Sequence, residues 1–216
     1  VEELKFTQLA WTAADWRHMG GALACCTKLR GLDLRDMGAD DAAMAAFGGA
    51  LGSGAAPALE SLYLYDNKIG DEGMRHLGDA LARGAAPALK ELWLIGNPAS
   101  ATTKQAVQTM ARYRCRPEQL LDGAFLVAHL ADAKELNCND LDWGDEEARR
   151  LAAALEHATA HGALKALEKL SLYGNKIGDE GVRHLGDALA RGAVPVLYCL
   201  SLGLDSEPAK ALVKLC

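Results

Sequence analysis

The chain has 216 residues, 50% of them apolar, and 23 Lys and Arg against 29 Asp and Glu, for a net charge of −6. That supplies a core for one domain or for one elongated array. The basic residues are scattered among acids rather than gathered in a stripe, which argues against nucleic acid as a partner, and no apolar run is long enough to insert directly into a membrane.

Along the chain one segment recurs. It opens in weak form at Val1 (VEELKFTQLAW) and Leu29 (LRGLDLRDMGA), then sharpens at Leu59 (LESLYLYDNKI) and Leu89 (LKELWLIGNPA). It returns weakly at Ala133 (AKELNCNDLDW) and clearly at Leu167 (LEKLSLYGNKI) and Leu197 (LYCLSLGLDSE). Successive starts lie 28, 30, 30, 44, 34 and 30 residues apart, a period that marks stacked supersecondary units. The L-x-L core of each segment alternates as a strand does. Asn67, Asn97 and Asn175 follow in units three, four and six.

A helix comes next. In unit three Met74, Leu77, Ala80 and Leu81 share one helical face. Asp71 is placed to cap its start, Glu72 meets the positive end of the dipole, and Gly84 with Pro87 ends it. Arg75, Asp79 and Arg83 alternate in sign along the solvated side.

Two departures stand out. Units one, two and five carry Leu9, Met37 and Leu141 where units three, four and six have Asn, and units one and five put Trp11 and Trp143 at the place of Ile69. The shared tryptophan suggests that unit five restarts an array. The stretch 98–132 interrupts the period by about one helix, and two helices are expected there, near 102–114 and 118–132, broken at Pro117. The organisation expected is therefore repeats one to four in 1–97, an irregular helical insertion in 98–132, and repeats five to seven in 133–216, ending in a helix at EPAKALVKLC. One continuous arc is preferred over a hinge between two arrays. The first unit starts directly on its strand, so Val1–Thr7 would leave a bare sheet edge for preceding chain or a partner to cover. The chain does not begin with Met, as in a processed chain or a fragment, and VEELKF is not a signal peptide.

The pattern LxxLxLxxNxIGDEGxxxLxxAL of units three and six resembles the leucine-rich repeat family, in its ribonuclease-inhibitor-like class with a strand and a full helix per repeat. The resemblance covers nearly the whole chain outside 98–132. It implies an α/β solenoid, a horseshoe or arc, with parallel strands on the concave face and helices on the convex face. In that family the Asn bonds backbone where the chain leaves the strand and builds a ladder between neighbours. The ladder should be broken at units one, two and five.

The stretch NKIGDEGMRHLGDALARG, Asn67–Gly84, returns almost unchanged at Asn175–Gly192 and holds the residue types of a metal loop or phosphate cradle. It fails as a calcium loop, because Lys68 and Gly70 stand where oxygen ligands belong and the second copy replaces Asp66 by Gly174. It fails as a phosphate loop, because it lacks the Lys-Ser/Thr pair. His76 and His184 recur with the repeat, as scaffold residues do. Arg112–Arg116 falls at a helix end, where cations suit the dipole and solvent is the expected surrounding. Six cysteines at irregular spacing, with no C-x-x-C pair and no zinc spacing, point to free thiols in a reducing intracellular compartment, the cytoplasm first and an organelle as the alternative. Cys138 aligns with core leucines and Cys199 with the concave Ser61. No catalytic residue, metal or cofactor is expected.

Function is expected on the concave face. Its candidates are Asp33 and Arg35 in unit two, Ser61, Tyr63 and Tyr65 in unit three, Glu91, Trp93 and Ile95 in unit four, Asn137 and Asn139 in unit five, and Ser171 and Tyr173 in unit six. Exposed aromatics ringed by polar groups suit a protein partner, with Asp33 and Arg35 matching charge. A protein-interaction module or a subunit of a larger assembly is the leading reading. The likeness of NxIGDEG to the repeats of the Ran GTPase activator leaves a GTPase-activating protein open. An enzyme inhibitor, like the family's far more cysteine-rich namesake, is open as well.

Overall fold

A computed structural model of the chain describes residues 1–9 and 11–203. The helix expected at EPAKALVKLC, and Cys216, lie outside them. The described residues divide after Cys115 into two compact units, a boundary that falls inside the 98–132 stretch.

In the first unit, β1 (Glu3–Lys5), β2 (Gly31–Asp33), β3 (Ser61–Tyr63) and β4 (Glu91–Trp93) form a parallel sheet in sequence order. Each strand begins two residues into its repeated segment. Leu4, Leu32, Leu62 and Leu92 stand side by side in register. Behind them stack α1 (Ala13–Ala24), α2 (Asp41–Gly52), α3 (Asp71–Ala82) and α4 (Ala101–Tyr113), each on the next. Leu32, Leu34, Leu62, Leu64, Phe47, Met74 and Leu77 are fully buried between the layers. Near β1 the core turns aromatic: Phe6, Trp11, Trp16 and Phe47 contact one another in a chain with ring centroids 5.0, 5.2 and 6.1 Å apart.

In the second unit, β5 (Glu135–Asn137), β6 (Lys169–Ser171) and β7 (Cys199–Ser201) form a parallel sheet with Leu136, Leu170 and Leu200 in register. β5 heads this sheet as β1 heads the first, and these are the two units that share the tryptophan, with Trp143 buried. A 3-10 turn (Pro117–Leu121) and α5 (Gly123–His129) pack against α6 (Asp145–Ala160), which packs on α7 (Asp179–Ala190). Of the two helices expected between repeats four and five, the first is the ordinary helix of repeat four, α4. The second is shorter than expected: it breaks into the 3-10 turn and α5 at Asp122, whose carboxylate accepts from Ala124 N–H. No helix among the described residues is long and apolar enough to cross a membrane.

The Asn ladder forms, and it runs backward. Asn67 Oδ1 accepts from the N–H groups of Met37 and Ala39 in repeat two, both at 3.0 Å, while Nδ2 donates to Leu34 O and Leu64 O, both at 2.9 Å. Asn97 accepts from Ile69 N–H and donates to Leu64 O and Leu94 O. Asn175 repeats the pattern on Leu141, Trp143, Cys138 and Leu172. Each Asn thus serves the repeat before it, so repeats two and five, which lack the residue, still have their backbone satisfied.

The residue just before the Asn position is left-handed in six repeats: Gln8 (φ 58°), Asp36 (52°), Asp66 (57°), Gly96 (75°), Asp140 (51°) and Gly174 (71°). Glycine, Asp and Asn are the types that enter this region most readily. The exchange of Asp66 for Gly174 is therefore a backbone requirement, unrelated to metal.

Asp71 does not cap its own helix. Gly70 is the N-cap and makes no side-chain cap bond. The Asp71 carboxylate reaches forward to the N–H of Ser100, at 2.8 Å, in repeat four. Asp41 does the same to Gly70 N–H at 2.6 Å, and Asp145 to Gly178 and Gly181 N–H at 2.6 and 2.9 Å. Each such Asp supplies an acceptor for the orphan donors at the next helix start. Gly84 ends α3 as foreseen, with φ 93°, and Ala85 N–H returns to Ala80 O in a Schellman turn.

Candidate functional site

The concave face of the first unit carries an aromatic group built by strand alternation. Tyr63 closes β3 and Trp93 closes β4, and the two are register partners. Their rings stack at 6.5 Å and 19°. Tyr65, two residues beyond Tyr63, stands edge-on to it at 6.5 Å and 90°. Trp93 is 46% exposed and Ile95 70%. With Asp66, these four residues line an open notch of about 380 Å3.

Asp33 and Arg35 differ from the expectation of a charge pair offered to a partner. Asp33 is only 8% exposed. Its carboxylate accepts from Arg35 Nε at 2.9 Å and from Arg35 Nη2 at 2.6 Å, and Lys5 Nζ lies at 3.8 Å. The Arg35 guanidinium covers the Tyr65 ring, 4.8 Å from its centroid. The hydrogen bonds from Arg35 hold the Asp33 carboxyl below the usual carboxylate range. A depressed folded-state pKa contributes stability that is present above the unfolded value, about 3.9, and is lost as pH falls through the folded one. Asp33→Asn is therefore expected to cost about 1 kcal/mol at pH 7. The difference from wild type shrinks as pH drops below 4, which urea titrations at several pH values measure. A constant difference down to pH 2 would show that the charge plays no part.

The strand edge holds a feature not foreseen in the sequence. Glu60 bridges Arg30 at 2.8 Å on one side and Lys90 at 2.9 Å on the other, chiefly the latter holding its carboxyl below the ordinary range. The three occupy one repeat position with alternating sign, so the alignment of units two to four contained the signal. Glu91, one residue on, is exposed and accepts from Ser61 Oγ at 3.2 Å.

In the second unit the concave polar residues are occupied internally. Asn137 is half-buried, and its Oδ1 accepts from Asn139 N–H at 3.1 Å. Asn139 accepts from Ser171 Oγ at 2.6 Å and from Tyr173 N–H at 2.8 Å, tying β5 to β6. Tyr173 is 58% exposed. Cys199 is exposed and Cys138 buried, as their alignment implied.

The basic run also departs from expectation. Arg114 is left-handed at φ 55°, ends α4, and donates to Ala85 O and Leu89 O at 3.2 and 2.9 Å. It ties repeat four to the turn of repeat three, and burial pulls its pKa down. A helix end expected in solvent is instead a cross-link, because a left-handed terminus turns the side chain back along the stack.

Two stretches, 56–78 and 165–186, match the family model described as Leucine Rich repeat. These two stretches are leucine-rich repeats. A strand and a full helix in each regular repeat make the chain's repeats ribonuclease-inhibitor-like. No curated protein matches this repeat protein. Among solved structures, actin-binding site 2 of leiomodin-1 aligns over 53% of this chain and 66% of its own, with 20% identity and a TM-score of 0.44. The tropomodulin C-terminal domain of Caenorhabditis elegans aligns over 88% and 83%, with 12% identity and 0.38. An internalin of Listeria monocytogenes aligns over 92% of this chain and 52% of its own, with 15% identity and 0.40. The repeat protein thus spans less than two thirds of the first and about half of the last. Likeness at this level carries no partner across.

Proposed function

We propose that this leucine-rich-repeat protein is a protein-binding module, and that a protein partner docks on the concave face of the first unit. The observation that carries this reading is the aromatic group of Tyr63, Tyr65 and Trp93 with Ile95. It lies along adjacent strands, with Trp93 and Ile95 exposed and the two tyrosines half-buried, and is lined up by register rather than by core packing. Exposed aromatics beside a rim of charge, here Glu91, Asp66 and Arg35, are the composition of binding hot spots. Asp33 acts indirectly, by holding Arg35 on Tyr65.

The test is Tyr63→Ala combined with Trp93→Ala. Both side chains lie outside the buried layer, so the double variant is expected to keep its circular dichroism and melting temperature while partner capture falls about tenfold. Capture at full strength by the folded variant sinks the concave-face reading. Acceleration of GTP hydrolysis on small GTPases by the wild-type chain would instead favour the activator reading.

A further inference from the structure

The aromatic notch holds two features that bear on what enters it. Its rim carries the Asp66 carboxylate, exposed and without a hydrogen-bond or ion-pair partner among the described residues. Glu91, two residues before Trp93 on β4, adds a second acid, which accepts from the neutral Ser61 hydroxyl. The nearby cation, Arg35, is already held by Asp33. The charge left open around the rings is therefore negative. The second feature is internal: on Tyr65, at one side of the same notch, a guanidinium lies against the ring while a carboxylate holds it from the edge. Trp93, Tyr63 and Asp66 offer the same combination, ring faces with a carboxylate at the rim, with no cation in place.

We propose that this notch receives an arginine side chain from the protein partner, its guanidinium lying on Trp93 and its edge bonded to Asp66. The inference rests on the concave-face reading above and adds the chemistry of the contact. A cation on an indole face is favoured electrostatically, indole most of all. Guanidinium suits the place better than ammonium, because it is flat, weakly hydrated and able to stack on a ring while donating in its plane to a carboxylate. An acidic peptide would meet Asp66 and Glu91 with like charge.

The probes are blocked tripeptides, acetyl-Gly-X-Gly-amide, with X arginine, lysine or norleucine, titrated into the whole chain and followed by the Trp93 indole proton in NMR spectra. Arginine is expected to shift that proton saturably and to bind about fivefold more tightly than norleucine, with lysine between them. Trp93→Leu keeps the apolar bulk and is read instead through the Tyr63 ring protons; it is expected to bring arginine down to the norleucine level. Asp66→Asn, which the left-handed backbone tolerates, is expected to weaken arginine severalfold and leave norleucine unchanged. Equal binding of norleucine, equal or tighter binding of lysine, or no saturable shift with arginine each overturns the proposal. None of these bears on capture of the partner by the Tyr63 and Trp93 double variant, so failure here leaves the concave-face reading to its own test.

Discussion

Asn67→Ala is expected to lower the stability of the first unit by about 3 kcal/mol. The side chain is buried and closes four backbone bonds, two accepted from Met37 and Ala39 N–H and two donated to Leu34 and Leu64 O. Alanine takes this partner from the Met37 and Ala39 N–H groups and from Leu34 O, away from bulk water, while Leu64 O keeps its bond from Asn97, and an orphaned buried backbone group costs far more than an average hydrogen bond contributes. Urea unfolding followed by tryptophan fluorescence reports it, since Trp11, Trp16 and Trp93 lie in that unit. Asn175→Ala is the comparison: it breaks the equivalent set in the second unit, where the Asn is partly exposed, and should cost less. A loss under 1 kcal/mol at Asn67 would mean that water replaces the ladder.

Gly73→Ala is the second large effect, about 2 kcal/mol. A methyl group there would lie 2.6 Å from Asp41 Oδ1, 2.8 Å from Asp41 Cα and 2.9 Å from the Ile69 side chain. Moving Asp41 aside would break its bond to Gly70 N–H and open α2 from α3. Gly181 stands in the same relation to Asp145. The two glycines of GDEG are thus space for the Asp of the preceding repeat, and the Asp is an acceptor for the repeat that follows. A double-mutant cycle checks this: Asp41→Ala with Gly73→Ala should cost clearly less than the two single losses added. Strict additivity would show that the methyl group clashes with something other than the carboxylate.

Both effects show where reading the sequence stops. The period, the L-x-L strands, the buried stripe of Met74, Leu77 and Leu81 and the stop at Gly84 follow from local rules, because alternation and helical spacing fix which side chains share a face. The seven strands fall where the alignment puts them for that reason. The outward-facing aromatics were legible on the same ground: Tyr63 and Trp93 flank core leucines and must leave the core.

Most of what was misplaced involves a neighbour about one repeat away. Asp71 looked like the cap of its own helix and serves Ser100 instead. Asp33 looked like surface charge and is covered by Arg35 and Lys5. Arg114 looked solvated and crosses to Ala85 and Leu89. By itself, then, the sequence determined the repeat, its register and which residues face inward, since these depend on spacing within one unit. Only the tertiary structure decided which polar groups are consumed between repeats and which, like Asp66 beside Trp93, stay exposed. A short polar side chain bonds whatever donor or acceptor the stacking brings within reach, and that partner exists only once the repeats are side by side.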